Sequence, residues 1–230
     1  MGKVGFTAAV SADVVFPATN RSAVPWTPPK GPANFGPRPT PFARLQRFSE
    51  DSIVCETAFF ALGEHPMRAR TASTDDAAAM AEIYNQGIAD RVATFETRPR
   101  SAADVRGWFD GTHPIVVVED DGRVVAFAST STYRPRECYA GIAEFSVYVA
   151  REARGRGAGR VAMEALIREA ERAGLWKLVS RVFTENTASL RLLRSLGFRE
   201  VGTYEKHGRL DGVWRDVVIV ELMIRANLSA

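Results

Sequence analysis

Glu144-Phe145-Ser146-Val147-Tyr148-Val149-Ala150-Arg151-Glu152-Ala153-Arg154-Gly155-Arg156-Gly157-Ala158-Gly159-Arg160 is the stretch on which the reading of this chain turns. A β-rich run passes into a glycine-crowded bend and then into the start of an apolar-periodic segment. The glycines let the backbone bend sharply and come close to a ligand. Exposed amides at a helix start, with the positive end of the helix dipole, make a site for a pyrophosphate. Arg154, Arg156 and Arg160 can add charge-assisted contacts. The glycines alone would also fit a plain tight turn with a solvated basic edge. Two familiar phosphate loops are excluded. A Walker loop would end in Gly-Lys-Ser or Gly-Lys-Thr. A dinucleotide fold needs Gly-x-Gly-x-x-Gly with an acid about 20 residues on, and Leu178 to Val182 holds none.

Working outward, Ile115 to Glu119 and Arg123 to Ala128 flank a turn at Asp120-Asp121-Gly122, a strong hairpin signal. Arg68 to Ala72 reads as a short first strand. Thr74 is expected to cap a helix with Asp75 and Asp76 in its first turn, and Ala79, Met80, Ile83 and Gly87 supply one face of it. Ser101, with Asp104 three residues on, opens a second helix whose apolar side is Val105, Trp108 and Phe109. Ile142 to Val149 is a strand. Val161, Ala165, Ile167 and Ala170 predict a helix over about 158–173, ended by Gly174. Leu178 to Phe183 is strand, Thr187 to Leu196 a helix stopping at Gly197, and 199–206 and 215–223 are closing strands. The order β-α-α-β-β-β-α-β-α-β-β gives a mixed α/β sheet.

The 230 residues are 46% hydrophobic and 25% charged, the profile of an ordinary globular protein. Nine of the twelve prolines fall in 1–66, so that part reads as a disordered extension preceding one domain over 67–230. Two alternatives are a misplaced start, with Met67 the natural one, and a docking arm using Phe42, Phe48, Phe59 and Phe60. A net charge of +3 suits an anionic ligand but does not indicate nucleic-acid binding. Two cysteines, Cys55 and Cys138, argue against a disulfide framework. His65, His113 and His207 lie too far apart for metal-ligand spacing. No apolar run is long enough to cross a bilayer and no secretory signal is evident, so the expected setting is cytoplasmic, away from membranes.

Two motifs together resemble the GNAT acetyltransferase superfamily. Arg154-Gly155-Arg156-Gly157-Ala158-Gly159 matches its pyrophosphate motif, Gln/Arg-x-x-Gly-x-Gly/Ala, and Asn186 through Leu196-Gly197-Phe198 matches its second signature. The gap between them equals one helix plus one strand. The resemblance covers about 67–225 and implies the acyl-CoA N-acyltransferase fold, a mixed, mostly antiparallel sheet flanked by helices, with acetyl-CoA as co-substrate and no metal. Within the superfamily, Ala93 to Pro99, Tyr133 to Tyr139, Glu144 to Val149 and Gly212 to Asp216 are most similar to the phosphinothricin and arsinothricin N-acetyltransferases. Those enzymes acetylate glutamate-like amino acids, confer resistance and form homodimers.

The resemblance implies Glu144 as catalytic base, directly or through water; a strand-end glutamate facing solvent is the bland alternative. A carboxylate in an apolar strand is costly to bury without purpose. It also implies that the backbone of Val147 and Val149 holds the acetyl carbonyl and pantetheine, that the bend from Arg154 through Arg160 holds the pyrophosphate, and that Asn186 contacts pantetheine while also suiting a helix N-cap. Substrate contacts are implied for Phe95 and for the loop carrying Tyr133, Arg134, Arg136 and Tyr139, where arginine forks suit carboxylate or phosphinate. One departure stands out. The family places a tyrosine or histidine acid seven residues after the asparagine, and here that position is Leu193; Tyr148 or Tyr204 are conceivable substitutes. Trp214 reads as a packing residue, Lys206-His207 as a solvent-facing strand end, and Cys138 as a bystander. Rival readings are another small-amine acetyltransferase, of the methionine sulfoximine or sulfone type, and a non-catalytic acyl-CoA-binding module.

Overall fold

A computed structural model describes residues 67–228, so the expectations for 1–66 lie outside the described residues. The β-rich runs become β1 (Arg68–Thr71), β2 (Ile115–Asp120), β3 (Arg123–Thr132), β4 (Ile142–Val149), β5 (Lys177–Phe183), β6 (Arg199–Leu210) and β7 (Val213–Met223). The helices are α1 (Ala77–Asp90), α2 (Ala102–Arg106), α3 (Ala158–Arg172) and α4 (Thr187–Ser195). The strands form one sheet in the order β1-β2-β3-β4-β5-β7-β6. Every neighbouring pair is antiparallel except β4 with β5. That parallel pair needs a crossover connection, and α3 supplies it.

Both faces of the sheet are covered, which is why β2 reads as an unbroken apolar run. Ile115 and Val117 pack with Met80, Ile83, Val105, Phe127 and Tyr148 under α1 and α2. Val116 and Val118 face the other way, into a core with Ala162, Met163 and Leu166 of α3 and Leu190 and Leu193 of α4. Each such large apolar side chain taken from water contributes about 1.5–3 kcal/mol.

The start of the parallel pair is fixed by a close approach. Gly141 O accepts hydrogen bonds from the backbone N–H groups of Trp176 (2.8 Å) and Lys177 (3.2 Å), aligning β5 on β4. The Trp176 ring lies so close over Gly141 that a Cβ there would stand 1.9 Å from Cε3. Only glycine fits.

Some boundaries differ from expectation. The first cap is Ser73, not Thr74: Ser73 Oγ accepts from Asp75 N–H, and the Asp76 side chain returns to Ser73 N–H. Arg70 grips both Asp76 oxygens at 2.7 and 2.8 Å, so this acid serves the fold as well as the cap. The turn between β2 and β3 is Asp121-Gly122, both at positive φ (48° and 72°), with Asp120 ending β2. The closing strands run further than expected and meet at a second turn of the same kind, Asp211-Gly212 (49° and 82°). Lys206-His207 therefore lies inside β6, not at its end. A bulge there places three residues of β6, Glu205 to His207, between the register pairs Tyr204–Val217 and Gly208–Arg215. Lys206 takes φ 49°, and Asp216 Oδ1 accepts its N–H at 2.7 Å. Trp214, expected to pack, is about half exposed, with the Arg209 guanidinium 4.4 Å above its ring.

Candidate active site

The two parallel strands separate almost as soon as they meet. β4 and β5 are in register only at Ile142–Lys177, Ala143–Leu178 and Glu144–Val179. Beyond that they diverge into a cleft lined by Ala93, Ser146, Val147, Ser180, Arg181, Phe183, Asn186, Ser189 and Leu193 among others. The opening leaves the β5-facing edge of the β4 backbone without a strand partner beyond Glu144. Ala150 N–H donates to Val125 O (2.8 Å), and with the register of β3 on β4 this sets the alternation: Glu144, Ser146 and Tyr148 bond to β3. Phe145, Val147 and Val149 therefore direct their N–H and C=O groups toward the cleft. The side chains of Val147 and Val149 pack on the α3 core, as expected of them.

At the far end of β4 the bend turns into α3. Gly157 is the N-cap residue at φ 94°, a left-handed backbone that favours glycine. The N–H groups of Gly157, Ala158 and Gly159 donate no backbone hydrogen bond among the described residues. They are the orphan donors of a helix start, with the positive dipole end behind them, which suits a phosphate. The arginines are placed differently from expectation. Arg154 Nε donates to Val149 O (3.1 Å) and its guanidinium meets Asp90 (2.7 Å); Arg156 pairs with Asp120 (2.8 Å), and Arg160 with Glu164 (3.3 Å) and Ser195 Oγ (2.7 Å). Asp90 also receives Arg151, whose guanidinium is the leading cause holding that carboxyl below the usual range. Arg154 thus braces the bend against α1.

Glu144 is half-buried and paired with Arg181 of β5. It shares one face of β4 with Ile142 and Ser146. Asn186 is the N-cap of α4, its Oδ1 accepting from Ser189 N–H (3.1 Å), while Nδ2 donates to Val92 O (3.2 Å) at the cleft edge. Leu193 is fully buried and lines the cleft floor, so the position of the family's acid holds a core residue. The Tyr148 ring is buried against Tyr84 (4.7 Å between centroids) and burial pushes its phenol well above the ordinary range, while Tyr204 lies exposed on β6.

The loop between β3 and β4 forms a second cavity, of about 250 Å³, lined by His113, Thr132, Arg134, Arg136, Glu137 and Tyr139 among others. That is near the lower end of ligand pockets, roughly 300–1,000 Å³, so a small molecule suits it. Tyr133 is not part of this lining; it supports Arg134, whose guanidinium lies 5.3 Å from its ring centre. Ile142 lines this cavity and Ser146 the cleft, so Glu144 stands between the two on one strand face. Phe95 belongs to neither. It stacks edge-on against Phe183 (4.7 Å) and lies against Gly208 of the β6 bulge. His207 stacks on Tyr204 there; burial and then the charge of Arg181 lower its pKa, with Glu144 opposing. Arg181 and Ser146 carry no role in the sequence reading, while His113 and His207 figure there only as histidines too far apart for a metal and, for His207, as part of a strand end. Only His113 had a local signal, the Asp110-Gly111-Thr112-His113 turn. Among the described residues no group of side chains could hold a metal, and no helix is long and apolar enough to cross a membrane.

A forked parallel pair with free strand amides thus feeds a glycine-rich helix start. The family model described as "Acetyltransferase (GNAT) family" matches residues 79–198. The chain belongs to the GNAT acetyltransferase family. It is 34% identical to the L-methionine sulfoximine/L-methionine sulfone acetyltransferase of Pseudomonas paraeruginosa, over 70% of this chain and 96% of that one. It is also 34% identical to the phosphinothricin N-acetyltransferase of Alcaligenes faecalis, over 69% and 83%. Among solved structures, a GNAT superfamily phosphinothricin acetyltransferase from Sinorhizobium meliloti in complex with acetyl-CoA superimposes with a TM-score of 0.64 and 29% identity, covering 68% of this chain and 88% of that one.

Proposed function

We propose that this chain moves the acetyl group of acetyl-CoA onto the α-amine of a small glutamate-like amino acid, such as phosphinothricin or arsinothricin, and so confers resistance. The observation that carries this reading is the placement of Glu144 between an arginine-bearing cavity and a cleft of free backbone amides. The diphosphate of coenzyme A would rest on the N–H groups of Gly157, Ala158 and Gly159, with Gly155 shaping the bend and Arg156 and Arg160 at its rim. Pantetheine would extend along β4 to Val147, with Asn186 across the cleft. The N–H of Val147 is then the donor that polarises the thioester carbonyl.

The acceptor's acidic groups suit Arg134, Arg136 and Tyr139, which puts its amine toward Glu144. An α-amine is mostly protonated near pH 7 and must lose a proton before attack. Glu144 takes it, directly or through a water, while Arg181 holds the carboxylate in place. The amine nitrogen bonds to the carbonyl carbon and gives up a second proton to water, the C–S bond breaks, and coenzyme A leaves as thiolate. With Leu193 at the acid position, water protonates the sulfur. We place the enzyme in the cytoplasm as a homodimer, without nucleic-acid or membrane partners. The likeness to the Pseudomonas enzyme favours methionine sulfoximine or sulfone as the second reading.

Thiol release from acetyl-CoA across a panel of these amines tests the proposal. Release with phosphinothricin above the other acceptors supports it, and release only with methionine sulfone favours the second reading. No release with any amine would leave an acyl-CoA-binding module.

A further inference from the structure

The cavity under the β3–β4 loop has one ionisable member that comes from outside that loop. His113 sits between α2 and β2 and its side chain is 16% exposed. Its neighbourhood is tightly built. Asp110 Oδ1 accepts from the backbone N–H groups of Thr112 and His113 (both 2.8 Å) and from Thr112 Oγ1 (3.1 Å), while Oδ2 meets His113 Nδ1 at 2.5 Å. Burial alone would raise the Asp110 carboxyl, but these donors outweigh it and hold it at about 2. On the other side of His113, Pro114 O accepts Thr130 N–H (3.0 Å) and Thr130 Oγ1 (2.8 Å), which pins the segment to β3 just before the arginine loop. The ring therefore has a fixed position and one committed nitrogen. Nε2 makes no hydrogen bond among the described residues, and His113 is part of the cavity's lining.

Resting on the acceptor reading above, we propose that His113 is a substrate-binding residue whose Nε2 bonds an oxygen of the acceptor's distal acidic group. The groups that share the cavity agree with this assignment. Arg134 and Arg136 bring two positive charges, Glu137 one negative charge, and Tyr139 a phenol. Asp110 holds Nδ1 behind the ring, which leaves Nε2 as the nitrogen free to meet an acidic oxygen in front of it. An uncharged sulfone oxygen is a weaker acceptor than a phosphinate or carboxylate oxygen, so His113 discriminates in favour of the acidic heads over a sulfone.

Steady-state kinetics of wild type and His113→Leu with phosphinothricin and methionine sulfone test this. The ratio of kcat/KM for phosphinothricin to that for methionine sulfone is expected to fall at least about tenfold, or ~1.4 kcal/mol, and the change to lie in KM rather than kcat. His113→Gln, which keeps an N–H donor, recovers part of the ratio and serves if the leucine variant does not fold. A ratio unchanged within about threefold, or an equal loss with both acceptors, overturns the assignment. If wild type turns over neither acceptor, the proposed function fails separately. Calorimetric titration of phosphinothricin into wild type and His113→Leu then judges His113 alone: weaker binding by the variant supports it, and equal affinities overturn it.

Discussion

Glu144 and Arg181 form an ion pair across the fork of the sheet, with Arg181 two residues beyond Val179, the last residue of β5 still in register with β4. The pair anchors a carboxylate at the point where backbone pairing ends and the cleft begins. On the proposed function, its position on the strand face makes Glu144 the candidate base, with the acceptor's amine between the arginine-bearing cavity and the cleft.

Replacing Glu144 by Gln keeps the shape and removes the proton acceptor. Turnover is expected to fall about 10²- to 10⁴-fold, with the acetyl-CoA dissociation constant within about twofold. Steady-state kinetics and calorimetry of the same variant measure the two quantities. Retained turnover would remove Glu144 as the base.

Gly157 and Gly159 differ in what a methyl group would cost. At Gly157 there is open space but φ is 94°, so alanine strains the backbone by about 1–2 kcal/mol. At Gly159 no such strain exists, and the new Cβ meets Leu192 Cδ2 at 3.2 Å, the flexible end of a side chain. Gly157→Ala is therefore expected to weaken acetyl-CoA binding about tenfold or more, a loss of the order of that strain, and Gly159→Ala far less. Equal effects in a calorimetric comparison would contradict the view that the bend conformation presents the amides.

Gly141 and Trp176 give a test of the fold alone. A methyl group at 141 collides with the indole at 1.9 Å. Trp176 cannot simply step aside, because its own N–H is bonded to Gly141 O. Gly141→Ala is expected to cost about 1–3 kcal/mol of overpacking, read as a lower urea midpoint at unchanged slope.

Asp76 predicts an acid limb in the stability profile. The Arg70 guanidinium is the leading cause that lowers its carboxyl below the ordinary 3.8, with burial opposing. A folded-state pKa below the unfolded one stabilises above the unfolded value, and the gain is lost as pH falls below about 3.8 toward the lowered folded value. Asp76→Asn is expected to cost about 1–3 kcal/mol near pH 7 and to flatten that limb. Urea titrations of both proteins between pH 2 and 7, roughly the span of the carboxyl transition, check it; parallel profiles would rule out Asp76 as its source.

Local periodicity and turn chemistry made most of the fold legible. α3 begins at Ala158 as expected, β4 runs from Ile142 to Val149 as expected, and Ser101 caps α2 with Asp104 through the reciprocal bonds anticipated for it. The missed features are those that neighbours in sequence do not encode. Lys206-His207 reads as an ordinary strand end until β7 pairs past it and forces three residues opposite Asp216. Trp214 reads as core until the edge position of its hairpin leaves it in solvent.

The amino-acid sequence by itself determined the strand–bend–helix unit, the glycines and helix-start amides of the pyrophosphate motif, and the family. Each depends on spacing within one segment, where backbone sterics and helix-end amides act locally. Tertiary structure alone decided that Arg181 meets Glu144, that Arg154 turns inward to Val149 and Asp90, and that His113 joins the arginine loop. Apart from Arg154 with Val149, only five residues away, those pairings join residues distant in the chain, and only the fork of β4 from β5 and the packing of helices on both faces brings such side chains together.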